Sequence, residues 1–370
     1  MKKKVLFMII NMNVGGVEKA LLNQLKLMSP KEYSVTILML EKYGNFLEDI
    51  PKWVNVDYLK NYERIKYLFN TPPKYIVFNF FKDGKISKGC YYLVLFLITK
   101  LMSSRELLLK SIFSKYSFYN EKFDEAIAYA GPMSLIDYYI LKKVSAHRKI
   151  GWIHFDITTI GLDKKLINNI YKGFQEIRVV SKDAKDKFDI TFPFLKNKTR
   201  VVYNVILKDE ILELGSEKGF KDDYRGLKLL IVGRVSKEKG QDLAIEALKK
   251  LLDIGIVAKL YIVGDGSFRR ECEILSRKLG IYKNVIFLGT KKNPYPYMKG
   301  CDIYIQPSRY EGYCITLAEA LIFNKPIVAT RFTGALEQLK GNKNSEIVDY
   351  SSEDIFKGIL KILKKVIKNE

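Results

Sequence analysis

Short apolar runs alternate with amphipathic stretches of helical period along the whole 370-residue chain, and the alternation starts afresh after residue 226. Strands that read as continuous apolar runs are buried on both faces, and parallel neighbours need a crossover segment between them, so this rhythm specifies an α/β chain with parallel sheets. In the first half, strands are expected at 5–10, 34–40, 54–58, 125–129, 150–153 and 177–180, with helices at 17–27, 135–143 and 162–172. The stretch 208–225 is polar and weakly periodic. Beyond it come strands at 227–232, 258–263, 285–288, 303–306 and 327–329, with helices at 242–252, 268–279 and 316–323, and a closing helix at 351–368. The expected organisation is a first Rossmann-like domain over 1–207, a linker over 208–226 and a second Rossmann-like domain over 227–370, with the closing helix near the domain junction. Two such domains would face each other across a cleft at the carboxyl ends of their strands, where open α/β sheets bind ligands.

Composition excludes several classes. Hydrophobic residues make up 48% of the chain, enough for a core in each domain. The four cysteines, Cys90, Cys272, Cys301 and Cys314, are scattered and only His147 and His154 could join them, which argues against a zinc site or a disulfide framework. Lys2-Lys3-Lys4 before an apolar run resembles a signal peptide, but the run stops at Asn11, and a first buried strand is the better reading. The longest continuous apolar run, 91–98, is far shorter than the roughly 18 to 20 residues that span a bilayer. A cytoplasmic protein is expected. Formal charge is +22, of which residues 1–208 hold +16. Such a balance allows a nucleic-acid partner, yet no RNP-type aromatic motif, zinc finger or recognition helix accompanies it. An anionic membrane surface fits the asymmetry better, and residues 85–115 mix apolar faces with spaced lysines as an interfacial helix would. The competing reading of that stretch is a buried helix with a solvated lysine face.

The chemistry-bearing residues fall at strand ends. Glu311 follows the strand 303–306, and Glu319 stands eight positions later, about one turn into the next helix. Carboxylates accept hydrogen bonds from sugar hydroxyls, while the amides of Gly312, Tyr313, Cys314 and Ile315 at a helix N-terminus suit phosphate. Gly15-Gly16 after the first strand lacks the G-x-G-x-x-G dinucleotide fingerprint, which argues against a nicotinamide enzyme; without side chains, the two glycines let backbone approach a phosphate or an acceptor. Arg234 and Lys239 follow the first strand of the second domain and would supply fixed positive charge, with Lys237 a bystander. His154 ends the run Gly151-Trp152-Ile153, and Asp156 lies two residues on; His147 reads as surface.

In this order, Gly15-Gly16-Val17-Glu18, His154, Gly233-Arg234-Val235-Ser236-Lys237-Glu238-Lys239-Gly240, Val263-Gly264-Asp265-Gly266, Glu311 to Glu319 and Gly334-Ala335-Leu336-Glu337 resemble the retaining GT-B glycosyltransferases of the family-4 type, which build bacterial polysaccharides and glycolipids. The resemblance covers most of the chain. It implies transfer of a hexose or N-acetylhexosamine from a nucleotide-diphosphate sugar, UDP-linked by preference, to a saccharide acceptor that is lipid-linked, on the inner face of the cell membrane. It implies that Arg234 and Lys239 hold the diphosphate, that Glu311 meets the sugar near its O3, that Glu319 accepts the ribose hydroxyls, and that His154 hydrogen-bonds the donor sugar. Gly15, Gly16 and Gly264 would line the donor site, Asp156 would aid the acceptor, and the base would be read by backbone around 288–291. The mechanism implied is front-face with retained configuration, without a protein nucleophile, metal or cofactor.

Some features depart from that pattern. Tyr203-Asn204-Val205 stands where the family commonly has Pro-Asn-Gly, the Gly-Leu-Leu ending expected near residue 348 is missing, and the chain ends after one closing helix, as a short form or a truncated one would. Two readings from other classes are a sugar-nucleotide-binding relative without transfer activity and a basic nucleic-acid-binding protein. The first would lack Glu311, Arg234 or Lys239, and all three are present.

Overall fold

The computed structural model describes residues 1–159 and 161–369, and the chain divides into two compact units. Each contains one fully parallel sheet. In the first, strands β1 (Lys3–Ile9), β2 (Tyr33–Met39), β3 (Asn55–Tyr58), β4 (Lys122–Gly131), β5 (Ser145–Ile153), β6 (Glu176–Val179) and β7 (Thr199–Val201) lie in the order β3-β2-β1-β4-β5-β6-β7. In the second, β8 (Leu227–Val232), β9 (Ala258–Val263), β10 (Val285–Gly289), β11 (Ile303–Gln306), β12 (Ile327–Thr330) and β13 (Ser345–Val348) lie in the order β10-β9-β8-β11-β12-β13. Both orders reverse beside the unit's first strand, and the second is the doubly wound Rossmann order. The central strands are almost wholly buried, as in Leu229, Leu230 and Ile231 of β8 and Ile303, Tyr304 and Ile305 of β11. That is why they read as uninterrupted apolar runs.

Helices of the first unit are α2 (Tyr62–Asn70), α3 (Pro73–Lys82), α4 (Ile86–Leu101), α5 (Glu106–Ser114), α6 (Ser134–Lys143) and α7 (Lys164–Tyr171), together with most of α8 (Lys182–Thr191). Residues 14–24, most of α1 (Gly16–Lys26), group with the second unit, as do 180–184. That unit also holds α9 (Lys208–Leu214), α10 (Gln241–Asp253), α11 (Arg269–Lys278), α12 (Tyr295–Gly300), α13 (Ile315–Leu321), α14 (Ala335–Leu339) and α15 (Ser352–Asn369).

Three differences from the sequence reading have physical causes. The supposed linker 208–226 contains α9, because Ile211 is buried in the apolar cluster formed with Tyr295, Tyr297 and Met298, and its charged neighbours face outward. The closing helix packs on α10 and on β12 and β13 of its own unit, with Ile355, Ile359 and Ile362 in the core. The stretch between β3 and β4 is four helices, and the buried-helix reading of 85–115 fails for α4, where only Gly89 and Leu95 are buried. Gly89 lets the two helices approach: a Cβ there would come within 2.7 Å of the Phe81 ring on α3, which would have to shift. Phe80 of α3 stacks on Tyr92 of α4 at 5.2 Å, which pins the two helices together while Phe78, Ile86, Val94, Leu97 and Leu101 remain exposed.

The packing of α15 makes a stability test possible. Ile359 is fully buried, so Ile359→Ala should lower the unfolding free energy by about 2–5 kcal/mol in urea titrations. A loss below about 1 kcal/mol would mean that α15 is not part of this core.

Candidate functional site

The loops after β8 and β11 emerge side by side, because these strands are direct neighbours where the strand order reverses. Residues 233–240 leave β8, and residues 307–314 leave β11. Three close approaches of backbone hold the first loop. Gly264 sits at φ +145, and a Cβ there would lie 1.9 Å from the Gly233 carbonyl oxygen; Gly240 sits at φ +70, with the Pro307 carbonyl oxygen 2.0 Å from where its Cβ would be. Only glycine fits either place. Val235 closes the loop by donating its N–H to the Asp265 carbonyl at 3.0 Å.

Lys239 and Glu311 meet across these two loops. The Lys239 ammonium donates to Glu311 Oε1 at 2.5 Å, and Ser308 Oγ donates to the same oxygen at 2.9 Å. Gln306, on the last residue of β11, donates to Ser308 Oγ at 2.8 Å, and its own oxygen accepts from the Tyr304 hydroxyl at 2.8 Å. This chain of donors fixes the Glu311 carboxylate from below. Burial is the largest single influence and would lower the Lys239 pKa, but the charge and hydrogen bond of Glu311 together with the nearby Cys314 hold the ammonium above its ordinary value. Arg234 is exposed, and its guanidinium makes no hydrogen bond to a described residue. Lys237 is turned to other work: it pairs with Asp242 at 3.0 Å, and Asp242 is also held by both terminal nitrogens of Arg309 at 2.8 and 2.9 Å.

The loop 312–315 leads into α13 with Cys314 at φ +58, a conformation that non-glycine residues rarely adopt and that needs support. The Gly312 carbonyl accepts from Ser181 Oγ at 3.3 Å, and the Tyr313 carbonyl accepts from Gln338 Nε2. With the carbonyls tied back, the N–H groups of Gly312, Tyr313, Cys314 and Ile315 donate to no described residue. Burial pushes the Cys314 thiol well up, so it stays neutral. Beside Ile315, a Cβ on Gly16 would touch its side chain at 3.8 Å. The Gly15 position lies under the Glu18 carboxylate, whose pKa burial raises to about 7 against a smaller opposing pull from Arg234.

One turn further along α13, Glu319 is 3% exposed. Its carboxylate accepts the Tyr295 hydroxyl at 2.8 Å, and the Lys19 ammonium lies 5.7 Å from the Tyr295 ring. Burial raises the Glu319 pKa to about 7, with the Tyr295 hydrogen bond and the Lys19 charge opposing. Tyr295 and Lys19 carry no signal in the sequence: Asn293-Pro294-Tyr295-Pro296 reads as a turn, and Lys19 is one lysine among many. Pro294 and Pro296 flank the start of α12, where a missing N–H costs nothing.

In the first unit, His154 follows β5, donates its N–H to the Gly131 carbonyl at 3.1 Å and stacks on Trp152, with ring centres 5.8 Å apart. Burial drives its pKa down to about 3 despite a backbone hydrogen bond at Tyr129, so the ring is neutral, and its Nε2 is buried without a described partner. Asp156 organises its own turn by accepting the Thr158 N–H at 2.9 Å and also accepts the Lys187 ammonium of α8 at 2.5 Å.

The family model of glycosyl transferases group 1 matches residues 218–370. An uncharacterised glycosyltransferase of Methanocaldococcus jannaschii is 34% identical over 51% of this chain and 49% of its own length. The N-acetylgalactosamine-N,N'-diacetylbacillosaminyl-diphospho-undecaprenol 4-alpha-N-acetylgalactosaminyltransferase of Campylobacter jejuni is 29% identical over 56% of this chain and 58% of its own length. The chain thus spans about half the length of these curated relatives. Among solved structures, Anabaena HepE in complex with UDP and glucose superposes with a TM-score of 0.69 at 17% identity, covering 99% of this chain and 91% of that one. The two parallel sheets share that architecture.

Glu319 yields a prediction for the ligand-free protein. A carboxyl whose pKa is about 7 when folded, against 4.5 in the open chain, contributes fully below pH 4.5 and loses that contribution as pH rises through 7. The loss amounts to roughly 3 kcal/mol. Glu319→Gln, which cannot ionise, should therefore melt close to wild type near pH 4.5 and increasingly above it as pH rises, with a constant gap beyond about pH 8. A gap that stays flat or narrows with pH would contradict a buried, weakly acidic Glu319.

Proposed function

We propose that this chain, whose residues 218–370 match the model of the group 1 glycosyl transferases and whose two sheets share the architecture of GT-B structures, moves a hexose or N-acetylhexosamine from a UDP-sugar to a lipid-linked saccharide with retained configuration, in the making of a cell-surface polysaccharide. The observation that carries this reading is the convergence, where the strand order of the second unit reverses, of Arg234, the Lys239–Glu311 pair, four amides at 312–315 that donate to no described residue and the buried Glu319. Each feature matches one part of a sugar nucleotide. Arg234 and Lys239 meet the diphosphate, the amides meet phosphate and sugar oxygens, Glu311 accepts from sugar hydroxyls, and Glu319 accepts from the ribose diol. Gly15 and Gly16 let backbone come close to the donor phosphate, and Gly264 shapes the loop that carries Arg234.

In a front-face transfer the bond from the anomeric carbon to the phosphate oxygen lengthens first, and the sugar takes on oxocarbenium character. Negative charge then grows on the leaving diphosphate. Two fixed cations stabilise that state more than the ground state, so they act on rate rather than on affinity alone. In the ligand-free protein Lys239 is held by Glu311. Diphosphate binding gives the ammonium a second anion and leaves Glu311 free to turn to the sugar hydroxyls. The leaving oxygen takes the acceptor's proton, so no side chain is needed as base. His154, neutral down to about pH 3, serves as a hydrogen-bond partner of the donor sugar and does not supply a proton. Asp156 would aid the acceptor side through the turn it organises and the Lys187 ammonium it holds. Charge on the diphosphate is met by Arg234, Lys239 and amides without a metal.

The lipid-linked acceptor and a peripheral place on the cytoplasmic face of the membrane rest on the α3–α4 pair. No helix among the described residues is long and apolar enough to cross a membrane. Phe78, Ile86, Val94, Leu97 and Leu101 are exposed together with Lys82, Lys85, Lys88 and Lys100. An apolar face rimmed with cations suits a bilayer surface bearing acidic lipid.

Lys239→Ala and Arg234→Ala should each lower turnover by about two to three powers of ten, as loss of one preorganised transition-state donor does, and weaken free UDP much less in calorimetry. Equal losses in both would confine the two residues to ground-state binding. For the membrane, vesicles rich in acidic lipid should co-sediment the protein at low salt and release it as ionic strength rises, because screening shortens the attraction to about 8–10 Å. Replacing Lys85, Lys88, Lys100 and Arg105 by Glu should abolish that binding; sedimentation unchanged by the replacement would remove the membrane from the account.

A further inference from the structure

The first unit holds a cavity of about 830 Å³ that none of the candidate site residues lines. Its walls come from the end of β3, from α2, from Tyr92 on α4, from the connection between α5 and β4 and from Tyr139 on α6. The volume falls within the range of small-ligand sites. Much of the wall is aromatic, through Tyr58, Tyr92, Tyr116, Phe118, Tyr119 and Tyr139. Burial raises the phenol pKa at Tyr58, Tyr92 and Tyr116, and carries Tyr139 to about 12, so these hydroxyls remain neutral at physiological pH.

The charges lining the cavity do not balance. Its two acidic groups with nearby partners are already engaged: Asp57 accepts the Tyr119 hydroxyl at 2.8 Å, and Glu121 pairs with Lys4 at 2.7 Å. Lys60, Arg64 and Lys115 line the same space, are exposed, and form no ion pair or hydrogen bond through their side chains with a described residue. Behind them, Lys143 donates to the Tyr116 carbonyl at 2.5 Å and lies 5.2 Å from the Phe118 ring. The cavity therefore presents flat aromatic rings beside three basic side chains without an ionic partner among the described residues, against the single carboxylate of Asp57 and a Glu121 already paired with Lys4. An ammonium offers a point charge, and a guanidinium offers a fork that matches a carboxylate or phosphate. A sugar ring brings the complementary parts: C–H faces that lie against aromatic rings, and hydroxyls that bond to phenols.

We propose that this cavity binds a saccharide bearing an anionic group, a carboxylate or phosphate on the sugar, with the ring against the aromatic wall and the anion held by Lys60, Arg64 and Lys115. The site takes no part in donor recognition and depends on no step of the transfer reaction. It gives the first unit a means of selecting charged saccharides over neutral ones.

Ligand-observed NMR and calorimetry on the full chain test this with four probes: a glucuronate-terminated disaccharide, glucose 6-phosphate, maltose and inorganic phosphate. The two charged sugars should bind at least tenfold more tightly than either maltose or inorganic phosphate, and their binding should weaken as salt rises. Arg64→Glu combined with Lys115→Glu should lose tenfold or more of that affinity. Phe118→Ala, at a 64% exposed position, should weaken both charged sugars while leaving the melting temperature in place. Glu319→Gln should leave all four affinities unchanged. Equal affinity for maltose, affinity for inorganic phosphate matching that of the charged sugars, or full binding in the Arg64/Lys115 variant would overturn the proposal. Attachment to acidic vesicles with no binding of the free sugars would overturn it too, by showing the cations to be part of a lipid-facing surface.

Discussion

The ion pair between Lys239 and Glu311 ties together the two loops on which the second unit's chemistry rests. One loop leaves β8 and the other leaves β11, and the strands are neighbours only because the sheet order reverses between them. A charge pair so little exposed to water gives modest net stability, since desolvation offsets most of the attraction. Its larger consequence is geometric. Ser308, Gln306 and Tyr304 continue the contact down into β11 through successive hydrogen bonds, so that an acidic group on a loop inherits the rigidity of a buried strand. Removing either charge would leave the other stranded, and the loops would lose their common reference.

Glu319 shows the complementary case, an acid kept nearly neutral. It lies one turn into α13 under the Tyr295 hydroxyl, and burial raises its pKa against the opposing pull of that hydrogen bond and of the Lys19 charge. A ribose diol offers two O–H donors to such a group. On the proposed reading, binding of that diol would stabilise the ionised form and lower the pKa, which links burial in the ligand-free state to nucleotide affinity. His154 follows a similar principle with the opposite charge type: burial beside Trp152 and Tyr129 holds the ring uncharged.

Much of this was legible in the sequence because it is local. Apolar runs such as Val5 to Ile9 and Leu229 to Val232 are buried on both sides and follow a simple pattern, and the strand-to-loop turns that carry Arg234, Lys239 and Glu311 sit next to them. What escaped depends on contacts between distant residues. Tyr295 reaches Glu319 across 24 positions from a short helix that begins among prolines. Ile211 turns a polar stretch into α9 by one buried side chain. The strand β7 has three residues and β13 contains Ser345 and Glu346, too short and too polar for a period to register. The stretch 85–115, which holds α4 and α5, read as either a buried or an interfacial element, and only packing could decide which side chains had neighbours.

The central claim is metal-free transfer with retention, driven by fixed cations on a leaving diphosphate. The most direct test is proton NMR of the purified chain turning over UDP-sugars in the presence of EDTA, recording the anomeric configuration of the first product formed. Sustained turnover with an α-linked product from an α-linked donor is the predicted result. Turnover that stops on chelation and returns with a divalent ion, or a β-linked first product, would contradict it.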